Sequence, residues 1–145
     1  IICRESFSFP DKIQPKNTHS GITKNLYVEE GEMKGFEMRV INEIANLNNV
    51  LFWHRNLERC KGFLLNGFIN HYPDFIVKLK NGITVLIETK GEDRDGSDSQ
   101  SKLKLGKIWE AKAGQSYRYF MVYETEKLEE ARTVAELLDI LENIK

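Results

Sequence analysis

Residues 73–90 read PDFIVKLKNGITVLIETK, two β-rich runs around Lys80, Asn81 and Gly82, and their pairing decides the fold. Asn-Gly between alternating apolar residues signals a hairpin. A two-residue loop would pair Lys80 with Ile83, put Lys78 opposite Val85 and Phe75 opposite Glu88, and mix polar with apolar on both faces. A three-residue loop, with Gly82 in the left-handed position of a bulge turn, pairs Leu79 with Ile83, Val77 with Val85 and Phe75 with Ile87. One face becomes wholly apolar, and a one-residue slip would turn it to solvent, so this register is the expected one. On the other face Lys78 meets Thr84, Ile76 meets Leu86, and Asp74 stands opposite Glu88, with Lys90 two residues further along the same side.

Two facing carboxylates destabilise a sheet unless positive charge lies between them. Lys90 is one source of that charge and a divalent metal is the other. Asp74, Glu88 and the backbone carbonyl of Thr89 offer the hard oxygen ligands that suit Mg²⁺ or Mn²⁺. Such an ion polarises a phosphoryl oxygen and lowers the pKa of bound water, while a lysine orients that water or balances developing charge. The combination suits phosphodiester hydrolysis. A bland reading stands beside it, in which a hairpin end carries an ordinary salt-bridge cluster.

Outward from the hairpin, Phe36, Val40, Ile41, Ile44 and Leu47 recur at helical spacing and predict a helix over 35–47. Val50 to Arg55 reads as a strand, Phe63 to Leu65 as a short one, and Tyr117 to Glu124 as another. A helix is expected over 98–113 with Ser97 or Asp98 as its cap, and a last helix over 134–144 on Leu137, Leu138, Leu141 and Ile144. The expectation is an α/β domain with a mixed central sheet of about four strands flanked by helices, in the order helix, three strands, helix, strand, helix. Residues 1–34, with Pro10, Pro15, Gly21 and Gly31, read as a lead-in or linker packing on a domain at 35–145.

A chain of 145 residues with 41% hydrophobic and 30% charged content is the size of one domain. The net charge of -1, from 21 Lys+Arg against 22 Asp+Glu, creates no global basic field. Charge alone therefore neither proposes nor excludes DNA. No apolar run approaches the roughly 18 residues of a membrane span, and the start lacks a signal-peptide pattern. The expectation is a soluble protein of the cell interior with no membrane partner. Cys3 and Cys60 are too few for a disulfide scaffold, and a structural zinc site is not expected. The chain starts without methionine in polar, proline-punctuated sequence, which suggests a piece of something longer.

Pro73-Asp74, thirteen intervening residues and then Glu88-Thr89-Lys90 resemble the motif of PD-(D/E)xK nucleases. More narrowly, VLFWHRN at 50–56 and SKLKLGKIWEAKAGQSYRYFMVYE at 101–124 resemble the C-terminal endonuclease domain of the restriction subunit of type III restriction-modification enzymes. The resemblance covers roughly residues 35 to 125. It implies a restriction-endonuclease-like core in which Asp74 and Glu88 hold Mg²⁺, with Mn²⁺ as a substitute, and Lys90 is the catalytic lysine. Relatives often add an acid from the first core helix. Glu37 is the match, on the stripe of Val40, Ile41 and Ile44 that faces the sheet, and Glu43 is the lesser candidate. The plainer role for Glu37 is a surface pair with Arg39 or Lys34. The implied substrate is double-stranded DNA, and the implied partners are a modification methyltransferase subunit and a helicase-type ATPase, in a prokaryotic cytoplasm. No phosphate loop occurs in the sequence, so ATP use would belong to that helicase domain and not to these residues. Two alternatives are a repair or recombination nuclease of the same fold, resolvase-like or RecB-like, and a catalytically silent DNA-binding or assembly module.

Residues 99–118 hold the one local basic excess, five bases against Glu110. Leu105, Ile108 and Trp109 mark the buried stripe of that helix, Lys102 lies on its edge and is aimed toward the site as a candidate phosphate contact, and Lys104 and Lys107 are expected to point outward. Gly106 is expected to let the helix approach the sheet closely. Trp53 reads as core and His54 as structural. Arg55 is a candidate either for phosphate or for tying down an acidic loop, and the acidic residues of 92–98 read as a solvated loop, with an added metal ligand as the alternative.

Overall fold

The hairpin forms in the bulge-turn register. In the computed structural model, which describes residues 8–9, 18–19, 22–27, 30–31, 33, 35–57, 62–91, 96–124 and 131–145, Phe75 faces Ile87, Ile76 faces Leu86, Val77 faces Val85 and Lys78 faces Thr84. Gly82 takes a φ of 95°, which the turn requires and an L side chain would resist. The Ile83 carbonyl accepts from the Leu79 amide at 2.9 Å and closes the loop.

In chain order the elements are β1 (Thr18–His19), β2 (Glu30–Gly31), α1 (Gly35–Ala45), β3 (Val50–Arg55), β4 (Leu65–Asn66), β5 (Asn70–His71), β6 (Phe75–Leu79), β7 (Thr84–Lys90), α2 (Gly96–Ala113), β8 (Tyr117–Tyr123) and α3 (Val134–Asn143). The central sheet runs β3-β6-β7-β8. Its first two pairings are antiparallel and β7 with β8 is parallel, so the sheet is mixed. A parallel pair cannot be closed by a tight turn, and α2 supplies the crossover. The expected α/β architecture is what the described residues adopt, with a mixed four-stranded central sheet and three helices among them.

Helices cover both faces, which is why β6 and β7 are apolar on both sides. Phe75, Val77, Leu79, Val85 and Ile87 pack with Val40, Ile41 and Ile44 of α1 and with Leu137 and Leu141 of α3. Ile76, Leu86, Tyr119 and Met121 pack with Leu103, Leu105 and Trp109 of α2. Each edge strand is bridged at one point by another segment, which shortens the open edge. On β3, Trp53 exchanges backbone bonds with the lead-in, donating to the Lys24 carbonyl at 3.1 Å and accepting from the Leu26 amide at 2.9 Å. On β8, the Arg132 amide donates to Met121 at 2.8 Å and its carbonyl accepts from Tyr123 at 2.9 Å. None of the helices among the described residues is long and apolar enough to cross a membrane.

Several boundaries differ from expectation. The first helix stops at Ala45, because Leu47 packs from the turn that follows. The short strand proposed at 63–65 lies at Leu65–Asn66 and pairs with Asn70–His71. α2 starts at Gly96, so Ser97 and Asp98 fall inside its first turn and neither precedes it as a cap. α3 carries a capping box, with Thr133 and Glu136 bonding each other's backbone amides. Cys3, Cys60, Lys34 and residues 92–95 lie outside the described residues.

Candidate active site

Pro73 creates the site by what it lacks. Hydrogen-bonded pairs recur every second residue along the hairpin, 79 with 83, 77 with 85 and 75 with 87, so Thr89 comes next and would face Pro73. Proline has no N–H to donate, and β6 ends at Phe75. The Thr89 amide turns instead to the Asp74 side chain, donating to Oδ2 at 2.8 Å, and the Thr89 hydroxyl donates to the same oxygen at 2.7 Å. Within a strand the C=O of a residue points the same way as its N–H. The Thr89 carbonyl therefore faces the end of the hairpin with no ladder donor from position 73.

Asp74 is held from its other side by Arg55, whose Nη1 donates to the Asp74 carbonyl at 3.0 Å and to Oδ1 at 3.2 Å. The guanidinium lies over the Phe75 ring, 5.5 Å from its centroid, and its Nη2 pairs with Glu37 at 3.3 Å. Glu37 faces the sheet as expected, its side chain 16% exposed, but it reaches the cluster through Arg55. The pairing with Arg39 is not made: Arg39 lies over Phe36. Glu43 takes no part in these contacts, and Arg55 is spent on Asp74 and Glu37.

On the α2 face, Glu88 is 6% exposed and pairs with Lys102 at 3.1 Å. Its Oε1 is buried with no hydrogen-bond donor among the described residues. Burial, then the Asp74 carboxylate, holds Glu88 well above the usual carboxylate range, with Lys102 pulling the other way. Burial disfavours charge on Lys102, but Glu88 and Asp98, the latter at 3.3 Å, outweigh it and hold the ammonium above the ordinary lysine range. Lys102 thus aims at the site as expected, and its ammonium is engaged by carboxylates. Lys90 follows Glu88 on the same face of β7, 5% exposed, with no ion pair or side-chain hydrogen bond to another described residue.

Lys107 corrects the expectation that it points outward. Gly106 brings α2 so close to β8 that Lys107 donates to the Tyr119 carbonyl at 3.1 Å and lies over the Phe120 ring. Lys104 is exposed, with its ammonium 5.8 Å from the centroid of Phe68. Trp53 is fully buried and His54 nearly so, with its ring edge-on to Tyr27.

Two residues near the carboxylates escaped the sequence reading. His71 is 1% exposed and its Nε2 lies 2.8 Å from the Tyr119 hydroxyl. Burial, then the Lys102 ammonium, lowers the His71 pKa to about 4. Burial, then Glu88 and Asp74, pushes the Tyr119 hydroxyl well up. One signal was present: alternation in YRYFMVY places Tyr119 with Met121 on one face, and the parallel register sets them beside Leu86 and Glu88.

The donor set fits a small hard cation. Glu88 Oε1, which has no donor among the described residues, the Thr89 carbonyl, which has no ladder donor at Pro73, and the Asp74 carboxylate are all oxygens. No group of three or more His, Cys, Asp or Glu able to hold a metal occurs among the described residues. Two carboxylates and a carbonyl suit Mg²⁺, which commonly keeps waters and substrate oxygens for its remaining positions. No family model, curated protein or solved structure matches the chain.

Proposed function

We propose that the chain is a DNA endonuclease domain that hydrolyses phosphodiester bonds with Mg²⁺, Mn²⁺ substituting, and that it serves a type III restriction-modification enzyme. The observation that supports this most is the set of oxygens left at the broken end of the hairpin beside a lysine that no described carboxylate claims. Bound there, the ion supplies Lewis acidity and a more acidic water. The chain's own residues do the rest. Thr89 fixes the Asp74 carboxylate by two hydrogen bonds, Arg55 braces it from behind, and Lys102 offsets the charge of Glu88. Lys90 holds a water or the developing phosphate charge, since its ammonium is not spent on a described carboxylate. Duplex DNA is the substrate, while the methyltransferase subunit and the ATP-driven helicase belong to the parent enzyme in this reading.

A second reading has its own support: Arg55 and Lys102 already neutralise Asp74 and Glu88, as expected of a silent DNA-binding or assembly module. Incubating the chain with duplex plasmid and Mg²⁺ separates the two. The nuclease reading expects cleavage that chelation stops and that Asp74→Ala reduces about a hundredfold or more. DNA binding without cleavage, or cleavage that persists in chelator, overturns it.

A further inference from the structure

A cavity of about 160 Å³ opens on the α2 face of the sheet, at the end away from the carboxylates. Along that face Lys78 pairs with Thr84 and Ile76 with Leu86, and the next positions are Asp74 and Glu88. Four residues of strand, about 13 Å, separate Thr84 from Glu88. α2 reaches the cavity with its last turns, through Trp109 and Ala113. The other walls are mostly rings: Phe9 stands edge-on to Phe52 of β3 at 5.4 Å, and Trp109 stands edge-on to Phe63 and to Tyr117, each at 5.8 Å. Such edge-to-face pairs fix the rings against one another. An apolar cavity of about 150 Å³ stays dry and accepts benzene, so the room here is that of one six-membered ring.

One end of this aromatic space is polar. Lys78 and Thr84 line it, and no acidic side chain does among the described residues. The two form a non-hydrogen-bonded pair of the hairpin, where side chains approach most closely. Lys78 Nζ donates to Thr84 Oγ1 at 3.1 Å and to the Gly82 carbonyl at 2.8 Å. An ammonium has three N–H groups, so one is left, and the Thr84 hydroxyl, having accepted from Lys78, keeps its own proton for another acceptor. Neither donor has a further acceptor among the described residues. A positive charge and two donors thus face a ring-sized apolar space, which is complementary to a ring that carries an anion. The room beyond one ring is small and favours a flat carboxylate over a tetrahedral phosphate.

We propose that the cavity is a binding site for a small aromatic carboxylate, its ring held among Phe52, Phe63, Trp109 and Tyr117 and its carboxylate accepting from Lys78 and Thr84. The site shares no residue with the carboxylate cluster, so it stands or falls apart from the nuclease reading. Its test is an NMR titration of the full chain with benzoate, with benzamide as the neutral isostere and phenyl phosphate as the bulkier anion. The chain has two tryptophans, and Trp53 packs in the core on the other face of the sheet. Benzoate should move the Trp109 indole resonance saturably and leave that of Trp53 in place. Benzamide should bind about tenfold or more weakly, as expected when a charge-assisted hydrogen bond is lost. Lys78→Met should lower benzoate affinity to that of benzamide and leave benzamide unchanged. Ala113→Leu fills the space from the helix and should abolish binding of both, with a melting temperature at or above the parent's, which separates a filled cavity from a lost fold. No saturable benzoate binding by the unaltered chain overturns the assignment. So does benzamide or phenyl phosphate binding as tightly as benzoate, or benzoate affinity retained in Ala113→Leu.

Discussion

At the scale of single residues, burial makes some side chains report on their surroundings through protons. His71 and Glu88 do so with opposite sign. Glu88 is held above its ordinary pKa, so the fold binds that proton more tightly than the unfolded chain does. Its contribution is stabilising at acid pH and is lost as pH rises through the raised value. His71 falls from 6.5 to about 4 on folding, so the unfolded chain binds its proton more tightly. Stability from His71 is complete above pH 6.5 and drains away as pH falls toward 4, by up to about 3 kcal/mol. Comparing the chain with His71→Gln cancels the other groups. Between pH 7.5 and pH 4 the variant should gain on the parent by as much as that amount in urea unfolding, and parallel curves would contradict the burial of a neutral His71.

Among elements, α2 shows how packing overrides local preference. Glycine inside a helix normally costs about 1 kcal/mol against alanine. At Gly106 the added Cβ would meet the Tyr119 ring at 2.3 Å, and overpacking a filled core typically costs about 1–3 kcal/mol. Gly106→Ala should therefore lower the urea midpoint, whereas an open helix position would raise it. The close approach was legible as a glycine on the sheet-facing side. Its partner was not, because helical period says which residues face inward and not what they meet. The same distinction explains the hairpin. Its register follows from period-two alternation and a glycine turn, both local, and the pairing of Phe75 with Ile87 agrees. The clamp of Arg55 on Asp74 and Glu37 joins a strand, a strand end and a helix, and no sequence period links them. His71 lay in a mixed segment without period, so neither its burial nor its tyrosine partner could be read. Lys107 looked outward on a helical wheel, yet the helix sits close enough to the edge strand for its stem to reach the Tyr119 carbonyl.

For the whole molecule, the near-zero charge resolves into unlike surfaces. Asp74 and Glu88 are offset locally by Arg55 and Lys102, so the candidate site contributes little net field. Long-range attraction of DNA by this chain is correspondingly modest, which is consistent with the proposed role of a cutting unit served by larger domains. The three-layer arrangement puts the site where an internal strand pair ends early, with helices on both sides supplying Glu37 and Lys102. The proposed chemistry depends above all on Lys90, the buried lysine that no described carboxylate neutralises. Its most direct test is duplex DNA cleavage in saturating Mg²⁺ by the chain and by Lys90→Ala, with Mn²⁺ binding measured on both. Cleavage by the chain, retained Mn²⁺ binding in the variant and a loss of its cleavage of about a hundredfold or more are expected. Cleavage by Lys90→Ala at the parent rate would contradict the proposed chemistry.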